Sequence, residues 1–203
     1  MSGIADERRL VVAITGASGS VYAIRFLQAI ADHYDRIFLT LSENASAVVA
    51  SELGVEFRTD ATDTSALLGK QYKQVTVLSP DDLFAPPASG SVQTDGMVII
   101  PCSMGTVGRI AAGVSNDLIT RAADVCLKEK RRLILVVRET PLNLIHLRNL
   151  TTLAEAGATI LPAAPGFYNH PKTVEDMIKF IVAKTIEQLG LAQTIIPEWM
   201  SQK

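Results

Sequence analysis

Apolar residues along the chain fall into two kinds of run that alternate. The first kind is short and unbroken, at Leu10–Ile14, Ile37–Leu41, Gln74–Leu78, Gly96–Pro101, Leu133–Val137 and Ala158–Leu161. Such blocks, rich in β-branched residues and without polar alternation, predict strands covered on both faces of a parallel sheet. The second kind repeats at helical spacing. It covers Val21–Tyr34 (through Ile24, Leu27, Ile30 and Ala31), Ala45–Leu53, a run ending at Ala112, Leu118–Lys130, Asn149–Ala156, and a long stretch from Thr173 to Leu189. Strand–helix alternation predicts an α/β fold of three αβα layers around a mostly parallel, doubly wound sheet, with its chemistry on the carboxyl edge of that sheet. Val55–Phe57 is expected as a further short strand.

The junctions carry the candidate chemistry. Leu10–Ser20, LVVAITGASGS, runs from a strand through a Gly-rich turn into a helix. The backbone N–H groups of such a turn converge where an anion can sit. It lacks the third glycine of a dinucleotide fingerprint and the Gly-Lys-Ser/Thr of a P-loop. Gly96–Thr106 repeats the design, with Pro101 expected to end its strand and Ser103 to cap the next helix. Asn44 is expected to cap the helix after Leu41, and Thr173 the last long helix. Ser79–Asp95 is a long loop stiffened by Pro80, Pro86 and Pro87, with Ala88-Ser89-Gly90-Ser91 as a small tip; long loops in compact domains are functional or solvated insertions.

Arg138-Glu139 ends an otherwise apolar strand. An arginine offers phosphate a fork of donors, and a glutamate can shuttle a proton; a structural ion pair is the plainer alternative. Tyr168 lies in a proline-stiffened loop. Lys184, between apolar neighbours, either snorkels to water or meets a phosphate. Arg121 and Lys128 share a helix face that reads as solvated. Cys102 reads as a packed thiol.

Composition narrows the class. The 203 residues are 48% hydrophobic with a net charge of −2, which fits one domain over residues 1–203 and argues against nucleic-acid binding by bulk charge. No apolar run is long enough for a bilayer, and the first residues carry no secretion signal. Cys102 and Cys126 form no metal or disulfide framework, which suits a reducing cytoplasm. His33, His146 and His170 lie far apart in the sequence, so no metal site is expected. The apolar tail Ile195–Trp199 is expected to pack on another subunit.

Taken in order, TGASG (15–19), APPASGS (85–91), PCSMGT (101–106), TRAADVCLKEKR (120–131), VVRETPL (136–142) and PAAPGFY (162–168) resemble the flavin prenyltransferase family of the UbiX type over nearly the whole chain. The resemblance implies a Rossmann-like or flavodoxin-like domain in a homo-oligomer, typically a dodecamer. It implies prenylation of reduced FMN at N5 and C6 by dimethylallyl monophosphate, without metal, giving a cofactor for UbiD-type decarboxylases. FMN contacts then fall on Gly16, Ala17, Ser18, Ser42, Cys102, Ser103, Met104, Gly105 and Arg138. Prenyl phosphate contacts fall on Ser89, Lys128, Arg138, Glu139, Tyr168 and Lys184. Proton handling is expected of Glu139 and Ser18, and Glu52 matches a further site position. Some members of the family carry arginine at the position of Lys184, which here replaces a fork of donors with a point charge. An FMN-dependent decarboxylase of the cysteine-decarboxylase superfamily and a non-catalytic FMN carrier are the alternatives. No carboxylate pair suited to a magnesium diphosphate is visible, which favours a monophosphate donor.

Overall fold

The computed structural model describes residues 7–58, 61 and 63–197. Its strands are β1 (Arg9–Ile14), β2 (Arg36–Leu41), β3 (Val75–Leu78), β4 (Gly96–Cys102), β5 (Arg132–Val137) and β6 (Thr159–Pro162). They form one wholly parallel six-stranded sheet in the order β3-β2-β1-β4-β5-β6. The chain builds outward from β1 to β3, then returns to β4 and builds the other way. Connections therefore diverge between β1 and β4, and a crevice opens there at the carboxyl ends of the strands.

The helices are α1 (Ser20–Ile30), α2 (Glu43–Leu53), the single turn α3 (Ser65–Leu68), α4 (Met104–Ala111), α5 (Leu118–Lys128), α6 (Leu144–Glu155) and α7 (Val174–Gln188). Alternate residues of β1 enter two separate cores. Leu10, Val12 and Ile14 pack in the core that α1, α2 and α7 cover, and Val11 and Ala13 in the one that α4, α5 and α6 cover. A strand with an apolar layer on each face has no place for polar alternation, which is why these runs are unbroken.

Several local expectations give way. Val55–Phe57 forms no strand; Phe57 reaches the core from irregular chain. Ser42, not Asn44, caps α2, its hydroxyl accepting the Ala45 N–H at 3.2 Å. Pro101 does not end β4, which continues through Cys102 across a cis Ile100–Pro101 bond. The helix expected at Asn149 begins earlier, at Leu144, where Asn143 and His146 form a capping box. Its first turn is hard to read because Leu144, Ile145 and Leu147 face solvent rather than core. In the tail, Ile195 packs against this chain's own core, whereas Trp199 lies outside the described residues.

Segment 79–95 has a task that its composition hides. β3 ends at the carboxyl edge and β4 starts at the amino edge, so this segment must cross the whole sheet, and it does so as a strap with a 3₁₀ turn at Pro86–Ala88. Ala85 and Ala88 pack on Leu118. The Leu118 N–H donates to the Pro80 carbonyl at 2.7 Å, and Arg121 Nε to the Ala88 carbonyl at 3.0 Å. Arg131 closes the far end, donating to the carbonyls of Gly90 at 2.6 Å and Val92 at 2.7 Å.

Candidate active site

The crevice between β1 and β4 is locked by Thr15, the first residue after β1. Its buried hydroxyl donates to the Pro101 carbonyl at 2.8 Å and accepts the Ser103 N–H at 2.8 Å. The two Gly- and Ser-rich junctions seen in the sequence are thus joined by one side chain. Gly16 follows directly. A Cβ there would lie 2.6 Å from that of Asn44, so only glycine lets the first turn lie against the start of α2. Around this contact Gly16, Ser42, Glu43, Asn44, Ser103 and Gly105 line a cleft of about 400 Å³, together with Thr106, Arg109 and Asp117. A neighbouring hollow of about 800 Å³ shares Ser42, Glu43 and Asp117 with it. Volumes of this order suit a cofactor.

Two helices aim their N-termini here. Ser42 caps α2, and Ser103 caps α4 by accepting the Thr106 N–H at 3.3 Å. Their unpaired N–H groups favour an anionic or hydrogen-bond-accepting ligand. Arg109 and Asp117, neither expected from sequence, face each other across the cleft as an ion pair. Burial pushes the Asp117 carboxyl up, but hydrogen bonds from Thr120 and the Arg109 guanidinium outweigh it and hold the group below its ordinary range. Nothing in the sequence pattern singles out Arg109; its position opposite Asp117 depends on how α4 and α5 pack.

The first glycine turn itself is filled from within. The Glu52 carboxylate accepts the Gly19 N–H at 3.0 Å and the Ser20 N–H at 2.9 Å. The anion seat expected at the start of α1 is therefore occupied by a side chain of α2. Partial burial pushes the Glu52 carboxyl up, while hydrogen bonds from the Ser18 hydroxyl and from the Ser20 and Gly19 N–H groups prevail and keep it low. Arg138 Nε donates to the Ser18 carbonyl at 3.2 Å. Ser18, Glu52 and Arg138 thus meet at one turn. Glu139 stands beside it, exposed, its carboxylate accepting the Thr140 N–H at 3.2 Å rather than pairing with Arg138. Tyr22 lies near Arg138, and burial raises its phenol.

The other expected residues fall elsewhere. Tyr168 packs edge-on against Phe180, 5.6 Å between ring centres. Lys184 lies over the outer strand β6, in a hollow with Leu161, Ala164 and Phe180. Its hydrogen bond to Glu187 and the nearby Tyr168 raise its pKa against partial burial, so it is firmly cationic. Ser89 and Lys128 leave the carboxyl edge altogether. Lys128 is the last residue of α5, just before β5 starts, and its ammonium lies 2.8 Å from where a Cβ on Gly90 would be. Both residues sit toward the amino edge, so one chain divides the expected prenyl phosphate contacts into separate groups. Ala17, Cys102 and Met104 are buried. Burial pushes the Cys102 thiol up, which disfavours the thiolate that nucleophilic chemistry needs. Among the described residues no three His, Cys, Asp or Glu side chains gather as a metal site, and no helix is long and apolar enough to cross a membrane.

A doubly wound sheet with a cofactor-sized cleft at its switch point, walled by two helix N-termini, defines a nucleotide- or flavin-binding α/β protein. The Flavoprotein family model matches residues 2–186. The flavin prenyltransferase UbiX of Pseudomonas aeruginosa is 43% identical over all of this chain and 97% of its own length. The structure of AnUbiX (PadA1) in complex with FMN and dimethylallyl pyrophosphate superposes with a TM-score of 0.85 at 38% identity, covering 97% of this chain and all of that one. A dodecameric FMN-dependent UbiX-like decarboxylase from Escherichia coli O157:H7 superposes at 0.84 with 39% identity, over 95% of this chain and all of its own. The chain belongs to the UbiX flavin prenyltransferase family.

Proposed function

We propose that the protein transfers the dimethylallyl group of dimethylallyl monophosphate to N5 and C6 of reduced FMN, releasing phosphate and giving prenylated FMN for a UbiD-type decarboxylase. The observation that carries this reading is 43% identity over the full length to a UbiX flavin prenyltransferase, together with a cleft whose donors suit FMN. Gly16, Ser42, Ser103 and Gly105 would hold the flavin from the cleft walls; Ala17, Ser18, Cys102, Met104 and Arg138, which the family resemblance also assigns to FMN, lie behind or beside that lining, with Ala17, Cys102 and Met104 buried. Gly16 fits such a role because any side chain there would collide with Asn44. When bound, the reduced flavin supplies the nucleophile, so no Ser, Cys or His nucleophile is required of the protein.

The protein's own tasks are electrostatic. Negative charge grows on the departing phosphate, and preorganised cations beside it lower the barrier most. Arg138, tethered to the Ser18 carbonyl, offers a fixed fork of donors. Lys184, held cationic, and Tyr168 beside it would receive phosphate oxygens. Glu139 makes no ion pair with Arg138 and stands free to accept a proton. Glu52 keeps its charge, so it positions Ser18 and the turn rather than taking protons itself.

Ser89 and Lys128 complete the phosphate site only if they come from a neighbouring copy, since their own chain places them toward the opposite edge. This supports a homo-oligomer, and with it the dodecamer described for the Escherichia coli relative. Two free, buried thiols fit a reducing cytoplasm.

The test is anaerobic: purified protein, reduced FMN and either dimethylallyl monophosphate or the diphosphate, no metal, then mass analysis of the released flavin. A gain of one C5H8 unit with the monophosphate is expected. Unmodified flavin with both donors, despite FMN binding, overturns the reading; a product from the diphosphate alone overturns the choice of donor. Glu139→Gln should bind FMN normally and turn over about 100-fold more slowly, the usual span for a lost general base. Wild-type turnover would remove Glu139 from the proton path.

A further inference from the structure

Arg109 is the one cation among the described residues that line the cleft at the switch point. It stands on α4 one turn after Gly105 and Thr106, on the face that they share. Its side chain runs back toward the start of the helix, where Nη2 comes within 3.5 Å of the Thr106 hydroxyl. That hydroxyl lies 3.1 Å from the hydroxyl of Ser103. A guanidinium, two hydroxyls and the N-terminus of α4 therefore share one corner of the cleft. In that first turn Ser103 accepts the Thr106 N–H, which leaves the N–H groups of Met104 and Gly105 without an intrahelical acceptor. A Cβ on Gly105 would meet nothing within 4 Å, so the space beside it is open.

Asp117 decides how that guanidinium is presented. One oxygen of its carboxylate accepts the N–H and the hydroxyl of Thr120, each at 2.7 Å. The other accepts from Arg109 Nη1, and Asn116 Oδ1 lies 3.4 Å from the same nitrogen. Both carboxylate oxygens are thus engaged, and their charge is met before any ligand arrives. A guanidinium held along one edge still offers its remaining N–H groups, in one plane, to an anion. We propose that Arg109, braced by Asp117, receives the phosphate of FMN and makes this chain select FMN over riboflavin. The inference rests on the reading of the cleft as a flavin site. Under that reading the reacting ring faces Arg138 and Glu139 beside the first glycine turn, and the phosphate takes no part in the chemistry. The phosphate is the charged group of FMN, and the corner at Arg109 is where the cleft gathers a cation, hydroxyls and free N–H groups for it. Glu43, the other carboxylate on the lining, is exposed in the first turn of α2 and faces water.

The test is a titration of full-length, flavin-free protein with FMN and with riboflavin, read by flavin fluorescence. Riboflavin is FMN without its phosphate, so it reports the rest of the cleft and the fold. The wild type should prefer FMN by about 100-fold or more. Arg109→Met keeps much of the stem and removes the donors. It should weaken FMN by about 10- to 100-fold, the span of a hydrogen bond to a charged group, and leave riboflavin unchanged. Arg109→Lys should recover part of that loss, because a point charge replaces the fork. If R109M fails to fold with Asp117 unpaired, R109M combined with Asp117→Asn replaces it, since asparagine caps a helix as well as aspartate does; the same split between the two flavins is expected. A variant that binds FMN as the wild type does overturns the proposal. So does an equal loss of FMN and riboflavin, which would make the pair a strut between α4 and α5. Wild-type protein that binds both flavins equally overturns the proposal and leaves the flavin site standing. Wild-type protein that binds neither overturns the flavin reading itself, and the inference with it.

Discussion

Glu52 shows how one side chain can decide what a sequence motif is for. A Gly-rich turn at a helix start is an anion seat by its geometry, and here the anion is already present, from α2. The carboxylate satisfies N–H groups at the start of α1 and reaches the Ser18 hydroxyl. Its folded pKa lies below the unfolded value, so its stabilisation is fully present above the unfolded carboxyl pKa and is lost as pH falls through the folded one. Glu52→Gln keeps a hydrogen-bond acceptor and removes the charge facing the helix dipole. It should cost about 0.5–1 kcal/mol at pH 7, in the range of exposed charge–dipole interactions. Urea unfolding at pH 7 and near pH 3 measures this: the gap to the wild type should shrink at the lower pH. A gap independent of pH would mean that the carboxylate does not act through its charge. Glu52 could be picked out by family likeness, but not its partners, because the turn and Glu52 lie some thirty residues apart and meet only through the packing of α1 on α2.

At the scale of elements, the strands were legible nearly to their ends, because a residue buried on either face of a parallel sheet must be apolar and leaves an unbroken run. Helix starts were legible where the cap stood alone, as at Ser103 and Thr173, and misplaced where two candidates competed, as at Ser42 and Asn44. α6 is the instructive miss. Periodicity finds the face of a helix that meets the core, and the first turn of α6 has no such face. Its start rests instead on Asn143, whose side chain accepts the His146 N–H at 2.8 Å. Asn143→Ala should therefore cost about 1 kcal/mol, the typical value of an N-cap, and should fray the turn that follows Glu139. Amide exchange would show the loss in residues 144–147, with transfer reduced more than FMN binding. Unchanged protection of those amides would place the start of α6 under the control of its packing on α4.

For the whole molecule, the connection from β3 to β4 sets what one copy can do alone. A helical crossover would return the chain beneath the sheet and show a neighbour only its solvated face. The strap returns it extended along α5, carrying Ser89 and Phe84 outward, and pins it at the amino edge through Arg131. No periodicity reveals this, because extended chain held by carbonyl hydrogen bonds has no repeating side-chain pattern; the prolines announce stiffness but not direction. The residue types proposed for the site could be named from the sequence, while their separation toward two edges of the sheet could not, since that follows from where α5 ends. Under the proposed function, Arg131 acts as a positioning residue for Ser89, at a distance from the cleft at the switch point. Arg131→Met keeps much of the stem that packs here and removes the donors to Gly90 and Val92. Freed at this end, Ser89 should sample many positions, and misplacement of a substrate contact by about 1 Å is enough to cost on the order of 100-fold. The loss should fall on kcat/KM for the prenyl phosphate, with FMN affinity unchanged because the cleft is built from other elements. If FMN affinity fell equally, the strap would be supporting the fold of the whole sheet rather than presenting Ser89 to a neighbour.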